Sequence, residues 1–403
     1  LDGPDDPPIH TFRTHTGRVM KLALVGVGQA GGKVMEAIMA YDDRTGVGFV
    51  ADAIAVNTAR ADLIGLERTP LERRILVGGA RLKGHGTGAD NELGAEVASE
   101  DLDEVMHAID DVPVHDIDAF LVVAGLGGGT GSGAAPVIAR ELRRRYTEPV
   151  YGLGILPGRT EGSIYALNAA RSFVTFVEQV DNLLLFDNDA WREGGESLRT
   201  GYDRLNDELA RRLGILFSAG EVRDGQAVGE SVVDASEIIN TLGSGGISTI
   251  GYAATAVDRP KARLFARRTP APDVGDATNR VLSTVRRAAL GRLTLPCELA
   301  GAERALLVVA GPPEYLDRRG IERARRWIEE TTGSMEVRGG DYPLDSEYVA
   351  AVVLFSGLSD VPRIEELKGV AVETQRRMQE IEAEAPEGLR DLVWSGEGLD
   401  PLF

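Results

Sequence analysis

Apolar runs alternate with amphipathic stretches along the first half of the chain. KLALVGV (21–27), DAIAVNT (52–58), ILVGG (75–79), DAFLVVAGL (118–126), PVYGLGILP (149–157) and DNLLLFDN (181–188) read as buried strands. KVMEAIMAY (33–41), the acidic ELGAEVASEDLDEVMHAI (92–109), APVIARELRRRY (135–146, opened by Pro136) and residues 162–178 read as helices. Near-continuous apolar strands separated by helices predict a parallel sheet covered on both faces. From about 196 to 217, Leu198, Tyr202, Leu205, Leu209 and Leu213 recur at three- and four-residue spacing, which predicts one long helix. Beyond 251, ERALLVVAGP (303–312) and EYVAAVVLFSGL (347–358) are strands, and DRRGIERARRWIEETTG (317–333) is a helix stopped by glycine. This second unit reads as α+β with a mostly short sheet.

The pattern divides the chain into five parts. Residues 1–19, rich in proline and glycine, form a disordered leader, and Met20 is a candidate start. An α/β domain covers 20–195, and the central helix with the loop after it covers 196–250. A smaller α+β domain covers 251–385, and a tail covers 386–403.

Composition narrows the setting. Of 403 residues only Cys297 is a cysteine, which excludes an internal disulfide framework and suits a reducing cytoplasm. No apolar run reaches the 18 or so residues that a membrane span needs. The 63 acidic residues outweigh 44 basic ones, and a net charge of −19 repels a phosphate backbone, so nucleic acid is not an expected partner. Five of the 44 basic residues are lysines (Lys21, Lys33, Lys83, Lys261, Lys368), leaving 39 arginines. Acid excess, few lysines and 5% aromatics fit a protein that works in concentrated salt. A GC-rich genome gives the same arginine bias.

The stretch GLGGGTGSG (125–133) holds six glycines in nine residues, between a buried strand and a helix. Each costs roughly 0.5–1 kcal/mol of ordering against alanine, so each needs a reason. Unpaired N–H groups and the helix dipole attract an anion at such a place. The missing side chains of Gly127, Gly128, Gly129 and Gly131 leave room for phosphate oxygens, and Thr130 and Ser132 add hydroxyls. No lysine follows, which excludes a Walker A loop. A second loop, GVGQAGGK (26–33), contains Gly26-x-Gly28-x-x-Gly31, and GHGTGADNE (84–92) is a third. A dinucleotide fold wants an acid at the end of strand two, where this chain has Asn57-Thr58. Three phosphate-type loops suit a nucleoside triphosphate.

GGGTGSG resembles the signature loop of the tubulin/FtsZ superfamily, and the resemblance runs in order from 21 to about 370. Asn57-Thr58 resembles that superfamily's NTD loop, with Ala59 in place of Asp. GHGTGADNELG is similar to its γ-phosphate loop. Gln29 is like tubulin, and the mixture with acidic composition most resembles the archaeal CetZ group. The resemblance implies a parallel-sheet GTP-binding domain joined by a long central helix to a smaller α+β domain. It implies GTP/GDP held by Gly28, Gln29, Ala30, Gly31, Gly32, Lys33 and Asn57, by Gly86, Thr87 and Gly88, and by the 127–132 loop. Glu161 matches a ribose-contacting glutamate. Tyr165 stands where FtsZ has arginine, and Asn168, one turn on, is the candidate to replace it. Asn188 sits at the same sheet edge and offers a donor and an acceptor to a purine. Tyr202 and Asn206, four apart on one helix face, form a tubulin-like pair that implies guanine.

Asp234 and Glu237 match the acidic pair of the superfamily's catalytic loop, with Val232 in place of its Asn. A carboxylate there would orient the attacking water. The pair follows the far end of the long helix, and ~20 residues span about 30 Å, so the carboxylates would act on a neighbouring subunit's GTP. A head-to-tail contact that does not close builds a filament, so the expected partner is a second copy. Mg²⁺ is implied by the triphosphate, with Gln29, Asp90 and Asn57 as candidates for contact through water and no direct protein ligand. His85, His107 and His115 show no ligand spacing. Trp394, Leu399, Leu402 and Phe403 make the tail either a docking segment for a protein partner or a strap on its own chain. The role implied is control of cell shape. An FtsZ-like division-ring protein and a non-polymerising nucleotide-binding regulator are the alternatives.

Overall fold

Ten strands, drawn from both halves of the chain, hydrogen-bond into one sheet. The computed structural model describes residues 19–192, 198–220, 233–257 and 274–394. The first eighteen residues of the expected leader, Val232, and the end of the tail with Leu399, Leu402 and Phe403 lie outside the described residues.

In chain order, β1 (Leu22–Val27) leads into α1 (Gly28–Thr45), then β2 (Val50–Asn57), α2 (Arg60–Ile64), β3 (Arg74–Leu76) and α3 (Gly79–Leu82). There follow α4 (Asn91–Glu100), α5 (Leu102–Asp110), β4 (Ala119–Gly125), α6 (Gly129–Arg145) and β5 (Val150–Leu156). Next come α7 (Ser163–Gln179), β6 (Asn182–Asp187), α8 (Asn188–Trp191) and the long α9 (Leu198–Ser218). The remainder is α10 (Ala235–Leu242), β7 (Ile247–Ala256), α11 (Val274–Leu290), β8 (Arg304–Gly311), α12 (Arg318–Thr332), β9 (Glu336–Pro343), β10 (Tyr348–Leu358) and α13 (Pro362–Trp394).

The strand order is β3-β2-β1-β4-β5-β6-β7-β10-β8-β9. The first six strands are parallel, as the apolar runs predict. β10 runs antiparallel between β7 and β8. Side chains alternate across the sheet: Ala23, Val25 and Val27 of β1 join the core under α5, α6 and α7, while Leu22 and Leu24 join the core under α1 and α9. All of them are buried.

The two units are not separate sheets. β6 and β7 pair through Leu183↔Ile247 and Leu184↔Ser248. Asn182 closes the seam, its buried amide donating to the carbonyls of Leu242 at 3.0 Å and Gly245 at 2.9 Å. The four C-terminal strands are not mostly short either, since β10 has 11 residues and β7 has 10.

Other boundaries shift for local reasons. The acidic helix expected at 92–109 breaks at Asp101, whose carboxylate accepts the Gly78 N–H at 2.6 Å. α6 begins at Gly129, so Pro136 lies inside it rather than opening it. Its ring leaves the Ser132 carbonyl without a helical donor, and the Ser172 hydroxyl donates to that oxygen at 2.8 Å. α13 runs through residue 386, where the tail was expected to begin.

Candidate functional site

The parallel strands end along one edge, and the loops leaving them surround a cavity of about 980 Å³. At one end, Gly28, Gln29 and Ala30 open α1, and Gly127, Gly128, Gly129, Thr130 and Gly131 open α6. Gly86, Thr87 and Gly88 close that end. Gly28, Gly86 and Gly88 all have positive φ, at 71°, 82° and 60°.

The glycines serve two purposes. A Cβ on Gly129 would lie 2.0 Å from Thr87 Oγ1, one on Gly131 2.6 Å from the Gly125 carbonyl, and one on Gly28 2.8 Å from the Gly131 nitrogen. The space of those side chains is thus filled by neighbouring loops packed backbone on backbone, not kept open for an anion. Gly128 is different: a Cβ there meets nothing within 4 Å, and the residue lines the cavity. Gly31 packs beneath the site, where a Cβ would sit 2.2 Å from the Val123 carbonyl. Gly32 lies against Leu66 and lines a smaller adjoining pocket of about 190 Å³ with Gln29, Lys33 and Asn57.

Several expected contacts are placed otherwise. Ser132 is buried outside the cavity and its hydroxyl donates back to the Gly128 carbonyl. Asn168 does not line the cavity: it is buried, and its amide donates to the carbonyls of Ala89 at 2.7 Å and Gly127 at 3.0 Å, tying two of the loops together. The Asp90 carboxylate caps α4 by accepting the Leu93 N–H at 2.9 Å, and it does not line the cavity. The Lys33 ammonium, although its residue lines the cavity, donates to the Gly65 carbonyl at 2.6 Å. Asn57 does line the cavity, donating to Asp62 Oδ2 at 3.2 Å.

At the other end stand Glu161, Asn188, Tyr202 and Asn206. Glu161 Oε1 accepts the Gly158 N–H at 2.9 Å and the Tyr202 hydroxyl at 3.1 Å. Burial, and next the Glu161 charge, push the Tyr202 hydroxyl's pKa above its ordinary value. Asn188 starts α8, and Asp187, buried just before it, caps that helix by accepting the Asp189 N–H at 3.1 Å. Burial raises the Asp187 carboxyl, and Arg363 beside it opposes the rise.

Asp62, Asp203, Tyr165 and Pro157 also line the cavity. Of these only Tyr165 stands in a stretch that the resemblance singles out. Asp203 adjoins Tyr202 on α9 and could have been found from helix position alone, whereas Asp62 carries no motif.

Asp234 and Glu237 stand apart, at the start of α10 beyond α9. α9 has 21 residues and spans about 30 Å. Asp234 Oδ1 accepts the Glu237 N–H at 3.1 Å. Burial, and then Asp234, raise the Glu237 carboxyl, against the pull of Arg338 on β9 and Arg325 on α12.

Glycine loops gathered at the strand ends of a parallel sheet, with a long helix closing the far side of the cavity, define the class as a nucleotide-binding domain of tubulin/FtsZ type. Residues 21–195 match the Tubulin/FtsZ family GTPase domain, and residues 195–373 match the Tubulin-like CetZ C-terminal domain. The chain belongs to the tubulin-like CetZ family. It is 68% identical over 389 residues to Tubulin-like protein CetZ3 of Haloferax volcanii, covering 95% of this chain and 100% of that relative. It is similar to the solved GDP-bound monomer of CetZ1 from the same organism, with a TM-score of 0.79, 60% identity, and 88% of this chain and 100% of that one covered. It is also similar to the GTPγS-bound protofilament of H. volcanii CetZ2, with a TM-score of 0.80, 47% identity, and coverage of 89% and 100%. Among the described residues, no helix is long and apolar enough to cross a membrane.

Proposed function

We propose that the chain is a GTP-binding, filament-forming cytoskeletal GTPase of the cytoplasm that controls cell shape. Hydrolysis takes place at the head-to-tail contact between subunits. The observation that carries this reading is that Asp234 and Glu237 lie outside the cavity: they start α10, which meets the first residue of β6 through Asn182, whereas the cavity lies at the opposite, C-terminal ends of the parallel strands. One chain cannot bring both to the same phosphate, but two stacked chains can. The solved GDP-bound monomer and GTPγS-bound protofilament of relatives support it.

In this reading the backbone N–H groups at the starts of α1 and α6 hold the phosphates, with the positive end of each helix dipole directed at them. Glu161 holds the ribose. Tyr202 stacks on the base while Asn188 and Asn206 read its edge. Glu237 of the next subunit, with Asp234, orients water for in-line attack on the γ-phosphorus. Oxygen donors suit Mg²⁺, and Gln29 and Asn57 line the cavity where they would hold it through water while it neutralises charge on the phosphates.

GTP turnover measured against protein concentration tests the proposal. The assay runs with Mg²⁺ in roughly 2–3 M KCl, where charges are screened within about 3 Å. The specific rate should rise steeply with concentration and collapse in Glu237→Ala while GTP still binds. A rate per molecule that does not depend on concentration would overturn the filament reading.

A further inference from the structure

A ring of charged side chains joins the first turn of α13 to both loops at the base end of the cavity. Arg363, 5% exposed, donates from Nη2 to the Pro157 carbonyl at 2.7 Å and from Nη1 to Glu366 Oε1 at 2.8 Å. Its Nε lies 3.5 Å from Asp187 Oδ1, and Asp187 is 2% exposed. Glu366 in turn receives both arms of Arg159, at 2.7 and 2.6 Å. Arg159 closes the ring on Asp189, through its guanidinium and through its N–H at 3.2 Å.

Each strut ends beside a cavity residue. Pro157 and Arg159 belong to the loop that carries Glu161. Asp187 and Asp189 flank Asn188. Both segments are short, and each has a further tie: buried Trp191 of α8 donates from Nε1 to the Leu293 carbonyl at 2.9 Å, and the loop's Thr160 hydroxyl accepts from Arg192 at 2.7 Å. A buried ion pair adds little net stability, because desolvation offsets the attraction, so its retention is better explained by position than by energy. Arg159 and Arg192 link the two segments to each other, and Arg363 ties both of them to α13 through a fork of fixed geometry. The helix that carries it is anchored along α7, where Ala371 packs with Leu167 and Ala170.

We propose that Arg363 is a positioning residue for the nucleotide, holding Asn188 and the 157–161 loop in register so that the site prefers guanine. The inference rests on the reading of the cavity as a guanine-nucleotide site. A site that hydrogen-bonds a substrate group rejects the analogue lacking it only while its own polar atoms are held in place. IDP, which lacks the 2-amino group of GDP, is therefore the informative competitor.

Equilibrium binding of GDP and of IDP to the full chain tests this, for the wild type, Arg363→Gln, Arg363→Lys and Glu366→Gln. Arg363→Gln should weaken GDP by about tenfold to a hundredfold, as a misplacement of about 1 Å does. It should also narrow the GDP-over-IDP preference. Arg363→Lys should recover part of both, and Glu366→Gln should shift both in the same direction by less. An unchanged preference ratio in folded Arg363→Gln would overturn the proposal and leave the arginine a structural staple. If that variant fails to fold by circular dichroism, Glu366→Gln decides: a narrowed ratio supports the proposal and an unchanged one overturns it. Failure of the wild type to bind GDP would instead overturn the nucleotide reading, and this inference with it.

Discussion

The hydroxyl of Tyr202 donates to the carboxylate of Glu161 at 3.1 Å, so the long helix and the loop after β5 meet across the mouth of the cavity. Tyr202→Phe keeps the ring and loses this bond. Nucleotide affinity should fall by an amount worth about 1 kcal/mol. Tyr202→Ala also loses the stacking surface, which adds ~1–3 kcal/mol. Fluorescence titration with a labelled GDP separates the two, and equal losses would mean that the ring does not face the base.

Two adjacent glycines should fail in different ways. A Cβ on Gly129 lands 2.0 Å from Thr87 Oγ1 and 2.7–2.8 Å from the Asp90 backbone, so Gly129→Ala must push α4 and its loop away. Such overpacking costs about 1–3 kcal/mol of stability. Gly128 has ordinary φ and ψ of −75° and 169° and open space at its Cβ position. Gly128→Ala should melt like the wild type and lose nucleotide affinity, because its methyl group enters the cavity. Thermal melts beside binding curves check the contrast.

What the sequence reveals depends on how local the signal is. The three glycine loops are legible because each packs its evidence into under ten residues, and Tyr202 with Asn206 is legible because helix spacing puts them on one face. The starts of α1 and α6 are not, since glycine is about 1 kcal/mol worse than alanine in a helix. There, packing overrides propensity: Gly31 and Gly133 lie so close to other backbones that no Cβ would fit. β7 and β9 hide behind small residues and glycines, ISTIGYAATA and EVRGGDYP. Arg363 escapes notice because its partner Pro157 is 206 positions away. Asn168 shows the converse risk. Its place one turn after Tyr165 suggests a substitute for the arginine of FtsZ, while its amide ties two loops together.

Arg212 should prove a stability residue rather than a functional one. It is 3% exposed, its guanidinium lies 4.1 Å from the Trp191 ring centroid and 5.1 Å from that of Tyr252, and it donates to Glu208 Oε2 at 2.8 Å. Arg212→Gln removes both cation–π contacts and leaves Glu208 without its buried partner, at a cost of about 3 kcal/mol. Urea unfolding followed by tryptophan fluorescence measures it. A midpoint within error of the wild type would mean that this stack contributes nothing.

The acidic surface predicts the response to salt. A net charge of −19 repels itself in dilute buffer, and raising the ionic strength to about 1 M shortens the Debye length to roughly 3 Å. The melting temperature should therefore climb steeply between about 0.1 and 2 M KCl. A flat profile would assign the arginine-for-lysine bias to codon usage instead.

Glu237 links stability, pH and catalysis. Burial and the nearby Asp234 raise its carboxyl pKa, so between the unfolded and folded values the folded chain binds more protons than the unfolded chain. The stability contributed by the protonated form is then present below the unfolded pKa and is lost as pH rises through the folded one. At neutral pH the charged carboxylate is a burden on the fold. Glu237→Gln carries no charge at any pH, so it should melt higher than the wild type at about pH 8, with the advantage shrinking as pH falls through the raised folded-state value and gone below about pH 4.3, where the wild-type carboxyl is protonated in both states. The same substitution should abolish GTP turnover, because the amide cannot accept a proton from the attacking water. Wild-type turnover should in turn decline on acidification at a pH above that of an ordinary glutamate. Melting curves of both chains across this range, beside single-turnover rates, read the two effects together. A stability difference that does not vary with pH would mean that the Glu237 carboxyl is not perturbed, and a variant that is stabilised yet still turns over GTP would move the catalytic role to Asp234.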